Sequence, residues 1–367
     1  MKVLIITHSL RYNYGGILQN FALQQVLKRM GHQPVTLKLR RKISRLDFIL
    51  DSLKHVVHRL LGHRAGKPLS AAGLNQICSQ TDCFTKKHIV MSPAMNLIDK
   101  RWVREQKFDA IVVGSDQVLH PASYRQIEDI YLGFIHGVKK VIYAGSFGTE
   151  KWVYTPKQTE HCASLCKEFS GISVREQSGQ QFFQTHFSIP AQLVLDPTLL
   201  LDKEDYLSTL SQTVHPTGLV TYLLDPNPEK AEMVKLLSLS NGWRVTPAGN
   251  EAMENTQLLP SQRVAAPVED WLVRMAGADF IVTDSFHGTC FAIIFRKNFI
   301  AVANKQRGLD RFVTLLTHFS LENRLIYNIQ DISNSELLKP IDYIRVEALQ
   351  KKKREEAWHF LNHSING

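Results

Sequence analysis

The side chains best suited to chemistry lie within residues 281–300, which read IVTDSFHGTCFAIIFRKNFI. An apolar run leads to Asp284, and a polar, glycine-containing turn follows with Ser285 and His287. A histidine changes its charge near neutral pH, so His287 is a candidate acid or base. The alternative is structural: Ser285 or Thr289 caps a helix, and His287 packs with its hydrogen bonds satisfied.

The same segment has the pattern of one βαβ unit of a parallel sheet. A strand ends at Val282, a helix of small and apolar residues covers 289–295, and a second strand covers 299–302. Ligands bind beyond the carboxyl ends of the strands in such sheets. The free N–H groups at the start of the helix favour an anion there, so the turn is predicted to bind a negatively charged ligand.

Other strand ends also carry polar or glycine-rich sequences. Gly15 and Gly16 follow the first strand and allow a close backbone approach. Asp116, in VGSDQ, can bind or deprotonate a hydroxyl, and Arg175 can grip a phosphate or a carboxylate. Asp196, in a strand-end turn, is interpreted as structural. Each of the others also has a structural interpretation, as a turn, a helix cap or a surface ion pair.

Strands and helices alternate along the chain, which indicates a doubly wound α/β architecture. A chain of 367 residues is too long for one ordinary core. We therefore expect two Rossmann-like domains, 1–205 and 206–367, the second ending in a helix over 343–362. Residues 61–76 and 248–262 are predicted loops. The predicted strands are Val3–Ile6, Ala110–Val113, Lys140–Tyr143, Gly171–Val174, Gln192–Leu195, Leu219–Leu224, Phe280–Val282 and Phe299–Val302.

The composition is that of a soluble globular protein, with 44% hydrophobic and 21% charged residues. No run approaches the roughly 18 apolar residues of a membrane span, and the start, MKVLIITHSL, reads as a strand without a signal-peptide cleavage site. The five cysteines form no CxxC pair, which argues against a disulfide framework or a zinc site. These features predict a cytoplasmic protein that binds no metal.

The net charge of +10 is concentrated in residues 38–67, where nine Lys or Arg and two Asp give a net charge of +7. Leucines and other apolar residues recur there at helical spacing. The segment either lies on an anionic membrane surface, at the inner face of the membrane, or packs on the domain as a solvated basic helix. No zinc finger, RNA-binding signature or aromatic-interleaved basic motif is present, so we expect no nucleic acid partner.

Taken together, six motifs make the chain resemble the polysaccharide pyruvyl transferases. They keep their order from the first strand to at least Arg311, which covers most of the chain. They are GGILQNFALQ (15–24), VGSDQ (113–117), YAGSFG (143–148), SVRE (173–176), LDPTLLL (195–201) and TDSFHGTCF (283–291).

This resemblance implies two domains facing a cleft, as in the GT-B glycosyltransferases. It also implies transfer of a pyruvyl group from phosphoenolpyruvate to two hydroxyls of a sugar, which forms a cyclic ketal and releases phosphate. The first domain would be the acceptor side and the second the donor side, with phosphoenolpyruvate as a substrate and no cofactor. The acceptor would be a lipid-linked or nucleotide-linked sugar in capsule, exopolysaccharide or cell-wall synthesis.

The resemblance also implies roles for individual residues. The catalytic residues would be His287, in proton transfer or phosphate binding, and Asp116, which orients or deprotonates the acceptor. The donor would be bound by Arg175, Ser285, Gly288, Thr289, Lys305, Arg307 and Arg311. The acceptor would be bound by Gly15, Gly16, Gln19, Asn20, Ser115 and Gln117.

One departure from the family pattern concerns the donor site. Some members carry an Arg two residues before the His, where this chain has Ser285. Either Arg307 or Arg311 supplies the missing charge, or the donor binds differently. Two other functions fit the same architecture: a glycosyltransferase that uses a nucleotide sugar, and an inactive relative that scaffolds polysaccharide assembly.

Overall fold

The computed structural model describes residues 1–39, 69–124, 126–253, 255–304, 308–333 and 335–367. Within these ranges the strands form two parallel sheets, of six and five strands. The first sheet contains Lys2–Ile6 (β1), Gln33–Thr36 (β2), Ala110–Val113 (β3), Lys139–Gly145 (β4), Gly171–Val174 (β5) and Gln192–Leu193 (β6). The second contains Gly218–Tyr222 (β7), Val245–Pro247 (β8), Ala278–Thr283 (β9), Asn298–Val302 (β10) and Leu325–Ile326 (β11).

Helices connect the strands of both sheets. They are Tyr14–Arg29 (α1), Ala71–Ile77 (α2), Ser79–His88 (α3), Lys100–Glu105 (α4), Pro156–Cys166 (α5), Gln177–Phe182 (α6), Lys203–Leu207 (α7), Pro228–Asn241 (α8), Val268–Gly277 (α9), Phe286–Ile294 (α10), Asp310–Phe319 (α11) and Tyr343–Asn366 (α12). None of the described helices is both long enough and apolar enough to cross a membrane.

Both sheets are doubly wound, as the alternation of the sequence predicts. Their strand orders are β2-β1-β3-β4-β5-β6 and β11-β10-β9-β7-β8. The chain reverses its direction of winding between β1 and β3 in the first sheet and between β7 and β9 in the second. Crevices open at the carboxyl ends of the strands at such points, so the topology provides one crevice in each half.

Every strand predicted from the sequence is present, but β2, β8 and β11 were not predicted. All three are edge strands of two to four residues, and β2 and β8 contain proline. Edge strands lack the long apolar runs of central ones. The predicted loop at 61–76 is wrong where α2 begins at Ala71. The basic segment 38–67 lies outside the described residues except for positions 38 and 39.

One of the three hydrophobic clusters in the described residues spans both halves. Tyr14 and Phe21 of α1 belong to the same buried cluster as Trp271 of α9 and Phe291 of α10. The C-terminal helix α12 returns to the first half and packs on β4 and β5. A Cβ atom on Gly171 would lie 2.0 Å from the Ser364 hydroxyl. The last helix therefore contacts both halves, and the division of the chain at 205/206 stays a prediction.

Candidate active site

The polar residues of the first half converge at the carboxyl ends of β3, β5 and β6, around the guanidinium group of Arg175. Its Nη1 donates to Asp196 Oδ2 at 2.7 Å, and its Nη2 donates to Asp116 Oδ1 at 2.9 Å. Its Nε lies 3.9 Å from Glu176 Oε2. Only 1% of the Arg175 side chain is exposed. We call Asp116, Arg175, Glu176 and Asp196 the Arg175 cluster.

Asp196 is the most heavily bonded carboxylate of this cluster. Besides Arg175, it accepts hydrogen bonds from the backbone N–H and the hydroxyl of Thr198, and Ser115 Oγ lies 3.0 Å from its Oδ2. We interpreted Asp196 as structural, and it does cap the turn Pro197–Leu200. It also faces the second half of the protein, which no local pattern indicates.

Charge keeps both aspartates of the cluster ionised. Burial by itself raises the pKa of a carboxyl group. Around Asp116 this effect is outweighed by the charges of Arg175 and His8, and around Asp196 by the charges of His287 and Arg175. These groups hold the pKa of each aspartate well below its usual range, so both are anions at neutral pH.

His287 brings the second half to this cluster. It lies in the first turn of α10, and its Nε2 is 3.8 Å from Asp196 Oδ2. The Nε2 atom is buried and has no hydrogen-bond partner among the described residues. A buried polar atom without a partner is rare in folded proteins. The arrangement provides an imidazole next to a fixed carboxylate, with one ring nitrogen left for a reacting group.

Gly15 touches the other side of the same imidazole. A Cβ atom on Gly15 would lie 2.1 Å from His287 Nδ1 and 2.3 Å from its Cγ. No other residue type fits there without moving the ring. Gly16 is different, since its Cβ would meet no atom closer than 3.6 Å. The expected close approach at this glycine pair is therefore made by Gly15 to a side chain of the other half.

Two guanidinium groups lie close to the ring of Phe286, the residue before His287. The Arg175 Cζ lies 4.6 Å from the centre of the Phe286 ring, and the Arg311 Cζ lies 5.7 Å from it. The Gln117 amide, with its oxygen toward Arg311, accepts from both Nη atoms at 3.0 and 3.1 Å. Arg311 therefore lies beside the segment where Ser285 replaces the expected arginine. Lys305 and Arg307 lie outside the described residues.

The remaining residues of the 284–289 turn hold the loop in place. Ser285 caps α10 by accepting from the Gly288 N–H at 3.3 Å, and the Thr289 hydroxyl donates to the Ser285 carbonyl at 3.1 Å. A Cβ atom on Gly288 would lie 2.2 Å from Thr283 Oγ1, so this glycine allows the helix to approach β9. Asp284 is fully buried and accepts from the backbone N–H groups of residues 224 and 225.

These contacts agree with the helix-cap interpretation of Ser285 and with a structural position for Gly288 and Thr289.

The chain matches the family model described as "Polysaccharide pyruvyl transferase" over residues 13–306. The match begins beside Gly15 and includes the Arg175 cluster and His287. This chain belongs to the polysaccharide pyruvyl transferase family. A comparison with curated proteins found no match.

Solved structures similar to this pyruvyl transferase family member have the GT-B fold. A Listeria monocytogenes protein assigned as UDP-N-acetylglucosamine 2-epimerase aligns with a TM-score of 0.51 at 9% identity, covering 96% of this chain and 90% of the other. Staphylococcus aureus MnaA, solved with UDP, aligns with a TM-score of 0.50 at 11% identity, covering 100% and 97%. At such identities the likeness shows the fold alone: two Rossmann-like domains facing a cleft, as predicted.

Two of the residues expected to bind the acceptor are enclosed by the protein. Gln19 and Asn20 are fully buried and bonded within the protein. The Gln19 amide donates to Gly16 and Thr7 and accepts from the Ser115 N–H, while Asn20 accepts from the Thr36 hydroxyl. Neither side chain is exposed, although we expected both to contact the acceptor. Gln19 supports the loop after β3, and Asn20 faces the interior.

Arg175 likewise differs from the donor-binding arginine that the resemblance implies. Its terminal nitrogens are both bonded to aspartates, and its side chain is closed to solvent. In this structure it is an internal counter-ion that fixes Asp116 and Asp196. The candidate site therefore presents His287, Asp116 and Arg311 around a buried charge network.

His8 is a neighbour of the site that sequence reasoning missed. It follows β1, its ring stacks on Tyr124 with 5.7 Å between centroids, and its charge contributes to the lowered pKa of Asp116. Its position after the first strand was the available signal, because the other polar strand ends of this half meet at the same edge. Among the described residues, no group of three or more His, Cys, Asp or Glu is placed to hold a metal ion.

Proposed function

We propose that this protein transfers the pyruvyl group of phosphoenolpyruvate to two hydroxyls of one sugar in a polysaccharide precursor. The product is a cyclic pyruvate ketal, and phosphate is released. The observation that carries this proposal is the position of His287, held between Gly15 and Asp196 with its Nε2 unbonded among the described residues. Membership of the family supports the same reaction class.

The first step adds the elements of a sugar hydroxyl across the enol double bond. A proton is delivered to the methylene carbon of phosphoenolpyruvate, which becomes a methyl group and leaves the neighbouring carbon electrophilic. The sugar oxygen then bonds to that carbon and loses its proton. We assign proton delivery to His287, for which the ionised Asp196 is a counter-ion at 3.8 Å.

The second step replaces phosphate. The second sugar hydroxyl attacks the same carbon, the carbon–oxygen bond to phosphate breaks, and the hydroxyl proton leaves with the phosphate or a base. Asp116 is the candidate to accept a hydrogen bond from this hydroxyl and orient it, since it is ionised and 11% of its side chain is exposed. Protons balance over the two steps. One hydroxyl proton restores the proton that His287 gave to the methylene carbon, and the other leaves with the phosphate or a base.

Phosphoenolpyruvate carries about three negative charges and needs cations beside it. Arg311 lies by the Phe286 ring near His287, and the N–H groups at the start of α10 add a positive end of a helix dipole. Arg175 acts in this proposal by fixing the two aspartates.

We also propose that the enzyme works in the cytoplasm on a lipid-linked or nucleotide-linked sugar. The basic segment 38–67 supports contact with an anionic membrane surface through its charge.

The test is phosphate release from phosphoenolpyruvate by the purified protein, with and without panels of lipid-linked and nucleotide-linked sugars. We expect acceptor-dependent release that falls about 10²- to 10⁴-fold in His287→Ala, the usual range for a general acid. His318→Ala is the control, because it removes another largely buried imidazole, on α11, outside the Arg175 cluster.

Each negative result has a different meaning. Near-normal release by His287→Ala would refute the role of that residue while leaving the reaction in place. No release with any acceptor, together with no thermal stabilisation by phosphoenolpyruvate, would refute the donor assignment. Stabilisation by a nucleotide sugar instead would favour a glycosyltransferase of the same architecture.

A further inference from the structure

A cavity of about 480 Å³ lies at the carboxyl ends of β7 and β8. It is bounded by Tyr14, by residues 221–226 and by residues 249–253 with Asn255. Tyr14 immediately precedes Gly15, on which His287 packs, and the Tyr222 ring lies 3.0 Å from where a Cβ on Gly288 would be. Two residues that bound this space, which we call the Tyr14 cavity, therefore lie next to residues that contact or neighbour His287. The volume of the cavity is within the range that proteins use for small molecules, about 300–1,000 Å³.

One wall of the Tyr14 cavity is aromatic and fixed in orientation. The Tyr14 hydroxyl donates to the Ala266 carbonyl at 3.1 Å, and its ring stacks on Trp271 with 5.5 Å between centroids. The Tyr222 ring meets the Tyr14 ring edge to face at 6.1 Å. Burial raises the pKa of Tyr14 to about 12, so its hydroxyl stays neutral. These contacts hold this side of the cavity in one position.

The polar part of the wall is acidic. Asp225 and Glu251 contribute carboxylates, and the described residues of the wall include no Lys or Arg. Thr221, also in the wall, has a buried hydroxyl without a hydrogen-bond partner in the described part of the chain. Carboxylates repel a phosphate or a second carboxylate at short range. They accept hydrogen bonds readily from neutral hydroxyl groups.

This wall contrasts with the surroundings of Phe286, where Arg311 lies. The anionic donor would therefore be drawn toward Arg311, and an uncharged sugar is better suited to the acidic wall. We propose that the Tyr14 cavity is the acceptor subsite and holds the uncharged sugar ring that receives the pyruvyl group. This inference rests on the proposed function. It sets the sugar ring against the second half, whereas the family resemblance implied an acceptor on the first.

The experiment measures binding directly, by saturation-transfer NMR on the full-length protein. The probes are the methyl glycosides of glucose, galactose and mannose, the 1-phosphates of the same sugars, and uridine. We expect at least one methyl glycoside to bind in the presence of saturating phosphoenolpyruvate, and its 1-phosphate to bind more weakly. Glu251→Lys should weaken glycoside binding about three- to tenfold, because it removes an acceptor and places a cation in the wall. It should strengthen binding of the 1-phosphate.

Glu229→Lys is the matched control, since it makes the same charge change on α8 outside the Tyr14 cavity. It should leave glycoside binding unchanged. Thr221→Val provides a second variant: it should weaken glycoside binding without lowering the melting temperature, because the lost hydroxyl has no described partner in the protein.

Displacement of the glycoside by phosphoenolpyruvate would overturn the proposal by making this cavity the donor site. Binding of uridine or of sugar phosphates in preference to glycosides, or binding of no glycoside, would also overturn it. Phosphate release measured in parallel separates the two proposals. If Glu251→Lys still releases phosphate with an unchanged KM for the sugar acceptor, only the subsite is refuted. If glycoside binding depends on Glu251 but no phosphate is released, only the reaction is refuted.

Discussion

The strand ends of the first half and those of the second half have the same topology but use their polar groups differently. In the first half, Asp116, Arg175 and Asp196 bond to one another and are almost closed to solvent. In the second half, His287 keeps one ring nitrogen without a described partner, and the Tyr14 cavity lies near the turn that carries it. One half therefore supplies a fixed electrostatic field, and the other supplies the titratable group and the space for a ligand.

The difference shows that a charged residue at a strand end need not face a ligand. A buried arginine must be neutralised by carboxylates, because an unpaired charge in the interior is very costly. Arg175 satisfies this requirement with two aspartates, one of which also reaches His287. The charge network of the first half thereby acts on the site through Asp196.

The largest effect on stability is expected for Arg175→Met. It leaves Asp116 and Asp196 buried without their common counter-ion, so we expect the free energy of unfolding to fall by about 3–5 kcal/mol. Urea denaturation measures it. Arg101→Met is the control, because this exposed arginine pairs with Glu105 one helical turn away, and its loss should cost less than about 0.5 kcal/mol. Equal effects of the two variants would contradict the structural role of Arg175.

The contact between the halves is tested by Gly15→Ala. The new methyl group would overlap His287 Nδ1, so the ring must move. We expect phosphate release to fall about 10- to 100-fold, with a loss of about 1–3 kcal/mol of stability from overpacking. Gly16→Ala is the matched control on the same helix and should keep its activity, since its nearest neighbour is 3.6 Å away.

A double variant sharpens the same test. If Gly15→Ala acts by displacing the imidazole, adding it to His287→Ala should lower phosphate release no further. Full additivity of the two changes would show that Gly15 acts independently of the ring.

The smallest effect is expected for Ser285→Ala, which separates a helix cap from a donor ligand. Loss of the cap should cost about 1 kcal/mol of stability, and Ser285→Asn should restore it. With a structural role only, the KM for phosphoenolpyruvate stays within about twofold of wild type in both variants. A KM that rises with Ser285→Ala and is not rescued by asparagine would restore the donor-binding role that the resemblance implied.

Much of the fold follows from local patterns. Central strands such as β1, β3 and β9 are buried on both faces and therefore carry continuous apolar runs. The short edge strands β2, β8 and β11 escaped prediction, because an edge strand needs neither length nor an apolar run. The same reasoning located the site in general, since polar residues at the ends of parallel strands collect at one edge.

The alternation of strands and helices could be predicted from the periodicity of the sequence, which is a local property. The two-domain GT-B architecture and the family followed from the resemblance that the order of the six motifs carries. Three contacts became visible only in the folded protein. Arg175 is ion-paired with Asp116 and Asp196, Asp196 lies 3.8 Å from His287, and Gly15 packs on the His287 ring. Those contacts join residues far apart in the chain, and they depend on how the two sheets pack across their shared core.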